Sequence, residues 1–172
     1  MITIDVQNFN NFSQEFYDSV VNAIELHQLK CSCNHSACMN WHGSYKRSII
    51  TGSGKTTLRI MRVICTVCGK THAILPASVV PYSQIPAEVQ RQAVRAYEKG
   101  TAINVVCDNS GIDENNVKSI ILRYRRFWRE RLLSERIGLG SIKVLIRRCL
   151  ENYGMSFMQI KKTVNKLFSL PT

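Results

Sequence analysis

Between positions 31 and 85 the chain has no aspartate or glutamate, against six lysines and arginines. An acid-free stretch of this kind is the footprint expected of a surface that meets a polyanion, the plain alternative being solubility alone. Long apolar runs are also missing. Nothing approaches the roughly 20 residues that cross a bilayer, and the opening MITIDV lacks the basic start and apolar centre of a secretory signal. A cytoplasmic, nucleoid-associated protein with no membrane partner is expected. Prolines number four, three of them at Pro76, Pro81 and Pro86. Their scarcity elsewhere leaves the second half of the chain free to form helices, and their clustering marks an extended connector at 78–86.

The net charge of +11 is distributed unevenly: residues 1–30 carry −3, residues 31–85 carry +6 and residues 86–172 carry +8. A basic body of this kind is the electrostatic footprint of a nucleic-acid binder, since each cation set on a phosphate releases a counterion. Seven cysteines in a reducing compartment are poor candidates for disulfides. Five of them, Cys31, Cys33, Cys38, Cys65 and Cys68, cluster at spacings suited to a metal. Cys65-Thr-Val-Cys68-Gly69 is the stronger turn, because two intervening residues and a following glycine let both sulfurs meet one ion. The first turn is ambiguous: Cys31 with Cys33, Cys33 with Cys38, or Cys31 with Cys38 could supply it, and His35, His42 or His72 could replace a sulfur. Two such turns joined by a β-hairpin would hold one structural Zn²⁺ tetrahedrally, giving a small module the folding energy its own core lacks. Competing readings are small buried hydrophobes and a redox pair at Cys65 and Cys68.

GSGKTT at 52–57 ends like a nucleotide-binding phosphate loop. The full fingerprint needs a glycine where Ile49 stands, and the run after Lys55 is rich in β-branched residues, a strand rather than a helix. Gly52-Ser53-Gly54 therefore reads as a hairpin tip between strands at 45–50 and 57–65. Lys46, Arg47, Lys55, Arg59 and Arg62 would give this hairpin a phosphate-contacting surface.

Outside the hairpin the periodicity is helical. Phe16, Val20 and Ile24 mark a packing helix within 1–30. Helices are expected at 87–98 and 102–109, then a long one beginning at Asp113 as N-cap, with Val117, Ile120, Ile121, Tyr124, Trp128 and Leu132 on its core stripe. Two more come after it, one carrying Ile142, Leu145, Ile146, Cys149, Leu150 and Tyr153, the other Phe157, Ile160, Val164, Leu167 and Phe168. Residues 103–122 match helix-turn-helix spacing: the small Cys107 stands four before Gly111 and Val117 six after it. That register exposes Asn115, Asn116, Lys118 and Ser119, with Arg123, Arg125, Arg126 and Arg129 beyond. Asparagine can bond adenine bidentately, while lysine and arginine serve guanine or phosphate. The plain alternative is a helical hairpin with a charged face.

The chain resembles a bacterial family of uncharacterised function that combines a zinc ribbon with a helix-turn-helix, similar to the N-terminal DNA-binding parts of transposases. The likeness lies in Cys31, Cys33 and Cys38, in HGSYKR at 42–47, in RVICTVCGKTHAILP at 62–76 with VPY at 80–82, and in FMQIKK at 157–162. It covers about residues 31 to 170 and implies DNA binding in association with mobile elements. A transposase catalytic domain needs carboxylates holding two metal ions, and the chain after its helix-turn-helix is short and poor in acids. No catalytic residue is expected.

The fold class expected is thus α+β and mainly helical. Its parts are a packing helix (1–30), a zinc ribbon (31–77), the connector (78–86), a helix-turn-helix domain (87–136) and C-terminal helices (137–172). The function expected is that of a zinc-containing, sequence-specific DNA-binding protein, a transposition accessory or transcriptional regulator, whose partner is double-stranded DNA. A homodimer would suit paired half-sites, and other mobile-element proteins are further candidate partners. Competing functions are a nucleotide hydrolase or nuclease, and an RNA-binding or protein-bridging ribbon.

Overall fold

The computed structural model describes residues 1–6, 10–51 and 54–159. Among them an α+β architecture joins one four-stranded sheet to six helices. β2 (Met39–Thr51) and β3 (Gly54–Cys65) form a long antiparallel pair in which Lys46 opposes Arg59 and Ile50 opposes Lys55. The expected tip at Gly52 and Ser53 lies outside the described residues. β4 (Thr71–Pro76) runs antiparallel to the base of β3, and β1 (Ile2–Ile4) lies parallel to β4, giving the order β1-β4-β3-β2. Residues directly opposite share a face, so Lys46, Arg59, Ile50 and Lys55 line one side of the hairpin. The other side, with Ile49, Leu58 and Ile60, faces the core.

α1 (Gln14–Asn22) begins at Ser13, whose side chain accepts from the Phe16 N–H at 3.2 Å. It packs on β3 where β4 has ended. There the Tyr17 hydroxyl accepts from the Met61 N–H at 2.8 Å and donates to the Ile74 carbonyl at 3.0 Å, while Gln14 Oε1 accepts from the Arg59 N–H at 2.7 Å. These bonds supply the partners that a strand edge would otherwise lack. The helix stops at Asn22, so Ile24 of the expected stripe falls past its end and packs from the following segment.

α2 (Ala87–Glu98), α3 (Ile103–Ser110) and α4 (Glu114–Phe127) pack on one another. Gly111 takes φ 64° and returns its N–H to the Cys107 carbonyl at 2.9 Å, ending α3 in the left-handed conformation that glycine adopts at least cost. Asp113 caps α4 as expected, accepting from the Asn116 N–H at 3.0 Å. The long helix expected through Leu132 is instead broken at Trp128 (φ −123°, ψ −33°), and α5 (Arg129–Ser134) follows as a separate helix. α6 (Ile142–Tyr153) carries the expected stripe, with Leu145, Ile146 and Cys149 buried. Of the last expected helix, Phe157 is buried, while Ile160, Val164, Leu167 and Phe168 lie outside the described residues.

The segment 78–86 is not an extended connector. Ser78, Val79, Val80 and Ile85 are buried, and the chain turns at Tyr82 with φ 59°. Arg47, expected to meet phosphate, points inward and donates from Nη2 to the Val80 carbonyl and, at 2.7 Å, to the Ser83 carbonyl. From the other side Gln90 Nε2 donates to the Ile85 carbonyl at 2.7 Å and to Ser83 Oγ at 3.1 Å. The apolar side chains of Val79, Val80 and Ile85 explain the difference, since burying them outweighs the entropy of a free linker.

Candidate metal centre and basic surface

The sequence bends twice at one end of the sheet. Before β2, residues 31–38 fold into a tight turn in which Asn34 and Ala37 take positive φ, the Asn34 N–H donates to the Cys31 carbonyl at 3.0 Å and the Cys31 N–H donates to the His35 carbonyl at 3.2 Å. After β3, Gly69 (φ 69°) donates its N–H to the Cys65 carbonyl at 2.9 Å, closing the second turn. The Thr66 N–H donates to the Cys38 carbonyl at 2.8 Å and ties the two turns together.

Four sulfurs converge here. Those of Cys31, Cys33, Cys65 and Cys68 all lie within 4.8 Å of one another, with Cys31 to Cys68 at 3.5 Å and Cys33 to Cys65 at 3.7 Å. Zinc–sulfur bonds of about 2.3 Å in a tetrahedron set sulfurs about 3.8 Å apart. The cluster therefore has the donor set and nearly the dimensions of a closed four-thiolate site, and it could hold one metal ion, compatible with zinc. Cys38, counted with these four in the sequence, falls outside the group. Its thiol donates to the His35 carbonyl at 3.3 Å and stands 3.4 Å from the Cys65 sulfur, beside the site rather than in it.

The histidines offered as substitutes divide. His72 is buried with Nε2 at 3.3 Å from the Cys31 sulfur, and His35 Nδ1 lies 3.4 Å from that of Cys33, so both touch sulfurs from outside the cluster; His42 is exposed on β2. Backbone N–H groups tune the thiols. The Cys33 N–H leads in lowering Cys31 to about 7. At Cys65 burial pushes upward, but the N–H groups of Cys68 and Val67 and neighbouring thiols bring it down to about 6. Burial first, then the Cys65 sulfur, drives Cys38 up to about 11. Such N–H···S bonds favour thiolate over thiol.

The basic side chains are spread over two surfaces. On the hairpin, Lys46, Lys55 and Arg59 are exposed. Arg59 lies 3.9 Å from Asp18, and Arg62 donates to Thr71 Oγ1 at 2.7 Å. On α4, Asn115, Asn116, Lys118 and Ser119 are exposed, as are Arg125 and Arg126, and Arg129 on α5 pairs with Glu98 at 3.2 Å. Helical spacing sorts the α4 residues into two stripes. Asn115, Lys118, Leu122 and Arg126 form the outward one, whereas Asn116, Ser119 and Arg123 line a cleft of about 500 Å³ whose far wall is Tyr82–Ile85 and Ile50. In the free protein some of these groups bond locally: Lys118 pairs with Glu114 at 2.7 Å, and the Asn116 side-chain amide donates to the Asp113 carboxylate. The Asn116 backbone N–H, then that side chain, holds the Asp113 carboxyl below its ordinary value.

Among the described residues no helix is long and apolar enough to cross a membrane. A family model for a domain of unknown function (DUF6431) matches residues 30–114, from just before Cys31 to the first residue of α4. No curated protein and no solved structure matches the chain.

Proposed function

We propose that the chain is a non-enzymatic DNA-binding protein, a zinc ribbon joined to a helix-turn-helix, that acts as a regulator or transposition accessory of a mobile element and resembles the DNA-binding parts of transposases. The observation that carries this reading is the cleft shared by Ile50 of the hairpin and Asn116, Ser119 and Arg123 of α4. It makes the hairpin end, where Lys55 opposes Ile50, and the exposed start of α4 parts of one surface. A duplex lying along that surface would meet the outward stripe of α4 in its major groove, with Asn115 and Lys118 nearest the base edges. Lys55 and Lys46 would then meet a neighbouring phosphate run. Cys31, Cys33, Cys65 and Cys68 would hold the ion, whose part is structural: it would fix both turns at the base of the hairpin.

Lys55 also bears on enzymatic readings. β3 runs unbroken from Gly54 to Cys65, so the backbone after Lys55 offers no helix N-terminus to cradle a nucleotide's phosphates. One observation favours a second reading, RNA binding: Trp41 and Tyr45 are exposed on β2 at 43% and 36%, and exposed aromatics on a sheet can stack on unpaired bases.

Duplex binding across a salt series tests the proposal. Wild type should lose affinity steeply with salt, and Lys46→Ala and Lys55→Ala should each reduce the slope by about one. Arg47→Met should leave the slope unchanged, because that guanidinium is spent on the Val80 and Ser83 carbonyls. A flat salt response, or preference for single-stranded RNA over duplex at every salt, would overturn it.

A further inference from the structure

We propose that the cleft between α4 and residues 82–85 holds one unpaired nucleotide of a DNA strand, its phosphate on Arg123 and its base against Tyr82. The inference rests on the DNA-binding reading above and adds a ligand that a groove-reading helix does not need.

Arg123 is the first reason. Among the described residues the other half-buried or buried guanidiniums have partners: Arg47 has two carbonyls, Arg62 has Thr71, Arg91 has Glu88, and Arg131 lies over the rings of Trp128 and Tyr153. Arg123 is half-buried, faces the cleft and has no hydrogen-bonding or ionic partner among the described residues. A cation removed from water without a partner is costly and stays protonated, so its position suits an incoming anion. Ser119 and Asn116, one and two turns before it on the same stripe, add a hydroxyl and an amide to that wall.

Tyr82 is the second. Its ring is 78% exposed, at a residue held at φ 59°, where a side chain other than glycine is strained. The loop that presents it is fixed from beneath by Arg47 and Gln90, and the Ile50 N–H donates to the Gln84 carbonyl at 2.8 Å. A strained aromatic on a braced loop is preorganised, and binding to it loses little further entropy. The cleft is also larger than a phosphate needs. Its lining runs from a guanidinium through amide and hydroxyl groups to Ile50, Ile85 and Ile120, and pockets of this size suit a ligand of nucleotide dimensions. A paired base could not enter, because its edge and both faces are already engaged in the duplex.

The test compares a short blunt duplex, the same duplex with a single-stranded thymidine extension, and one whose extension is abasic. The extension should raise affinity about tenfold, the range of one base stacked on an aromatic ring. The abasic extension should lose most of that gain. Tyr82→Ala should abolish it while leaving blunt-duplex binding and the thermal midpoint unchanged, and Arg123→Met should weaken the extended duplex more than the blunt one. Equal affinity for blunt and extended duplexes would refute the inference and leave duplex binding standing. No binding to any of the three would remove the DNA reading and this inference with it. Thymidine monophosphate competing as tightly as the extended strand would make the cleft a free-nucleotide site and overturn the strand-end assignment.

Discussion

Cys65→Ser should release the metal and lower the thermal midpoint by about 8–16 °C, whereas Cys38→Ser should keep one zinc per chain. The contrast comes from where the sulfurs stand. Cys65 is fully buried and belongs to the group of four, while Cys38 touches the group only through Cys65. An ion held at about a thousand times its dissociation constant stabilises the fold by about 4 kcal/mol, and a chain of this size shifts by about 2–4 °C per kcal/mol. The loss should be local. The sheet has apolar support of its own from Tyr17, Val21, Leu58, Ile60 and Val63, and the helices pack in a second cluster built around Trp128 and Leu145. Chelation should therefore deprotect amides at 31–38 and 65–70 in hydrogen exchange and leave those of α2 and α6 protected. Metal analysis and a melt of the two variants check this. Loss of zinc from Cys38→Ser, or its retention in Cys65→Ser, would contradict the assignment.

Trp128→Ala is expected to destabilise the helical part by about 3–5 kcal/mol, the usual range for a large aromatic removed from a packed core. Trp128 is 1% exposed and meets Tyr153 and Phe157 edge-on, at centroid distances of 6.0 and 5.5 Å. It also stands at the break between α4 and α5. Its indole Nε1 is buried without a hydrogen-bond partner among the described residues, which costs stability in the wild type. Trp128→Phe removes that orphan donor together with some volume, and it should cost less than half as much as the alanine. Chemical denaturation of both variants measures the difference. Equal losses would contradict this packing account, since phenylalanine keeps most of the buried ring volume that alanine removes.

Several parts of this architecture are legible in the sequence. α2 begins and ends where the apolar spacing and Gly100 place it, and the β-branched run before Cys65 forms β3. Asp113 and Gly111 fix the turn between α3 and α4 through local chemistry that survives packing. Other features are hidden for physical reasons. β1 is three residues long and exists only because β4 offers it an edge. The break at Trp128 leaves no mark in the periodicity, since one non-helical residue keeps the N–H bonds from Trp128 to Tyr124 and from Leu132 to Trp128. Prolines at 76–86 obscure the buried valines between them. Arg47 departs from the expected phosphate face although strand alternation carries the signal: it shares a face with buried Ile49, opposite to that of Lys46. At the metal site the second turn is plain, but no spacing rule singles out Cys31 and Cys33 over Cys38. Their convergence depends on the positive φ of Asn34 and Ala37; asparagine favours that conformation, but alanine gives no sign of it.

Sequence reading through α4 is tested by selection from a pool of random duplex DNA, run with wild type and with the double variant Asn115→Ala, Lys118→Ala. Both residues are exposed on the outward stripe of α4 and away from its core side, so the variant should fold as the wild type does. Wild type should recover a sequence motif that the double variant loses, each lost base contact weakening the preferred site by about 1–3 kcal/mol. Binding without a motif, equal in wild type and variant, would contradict sequence reading through α4.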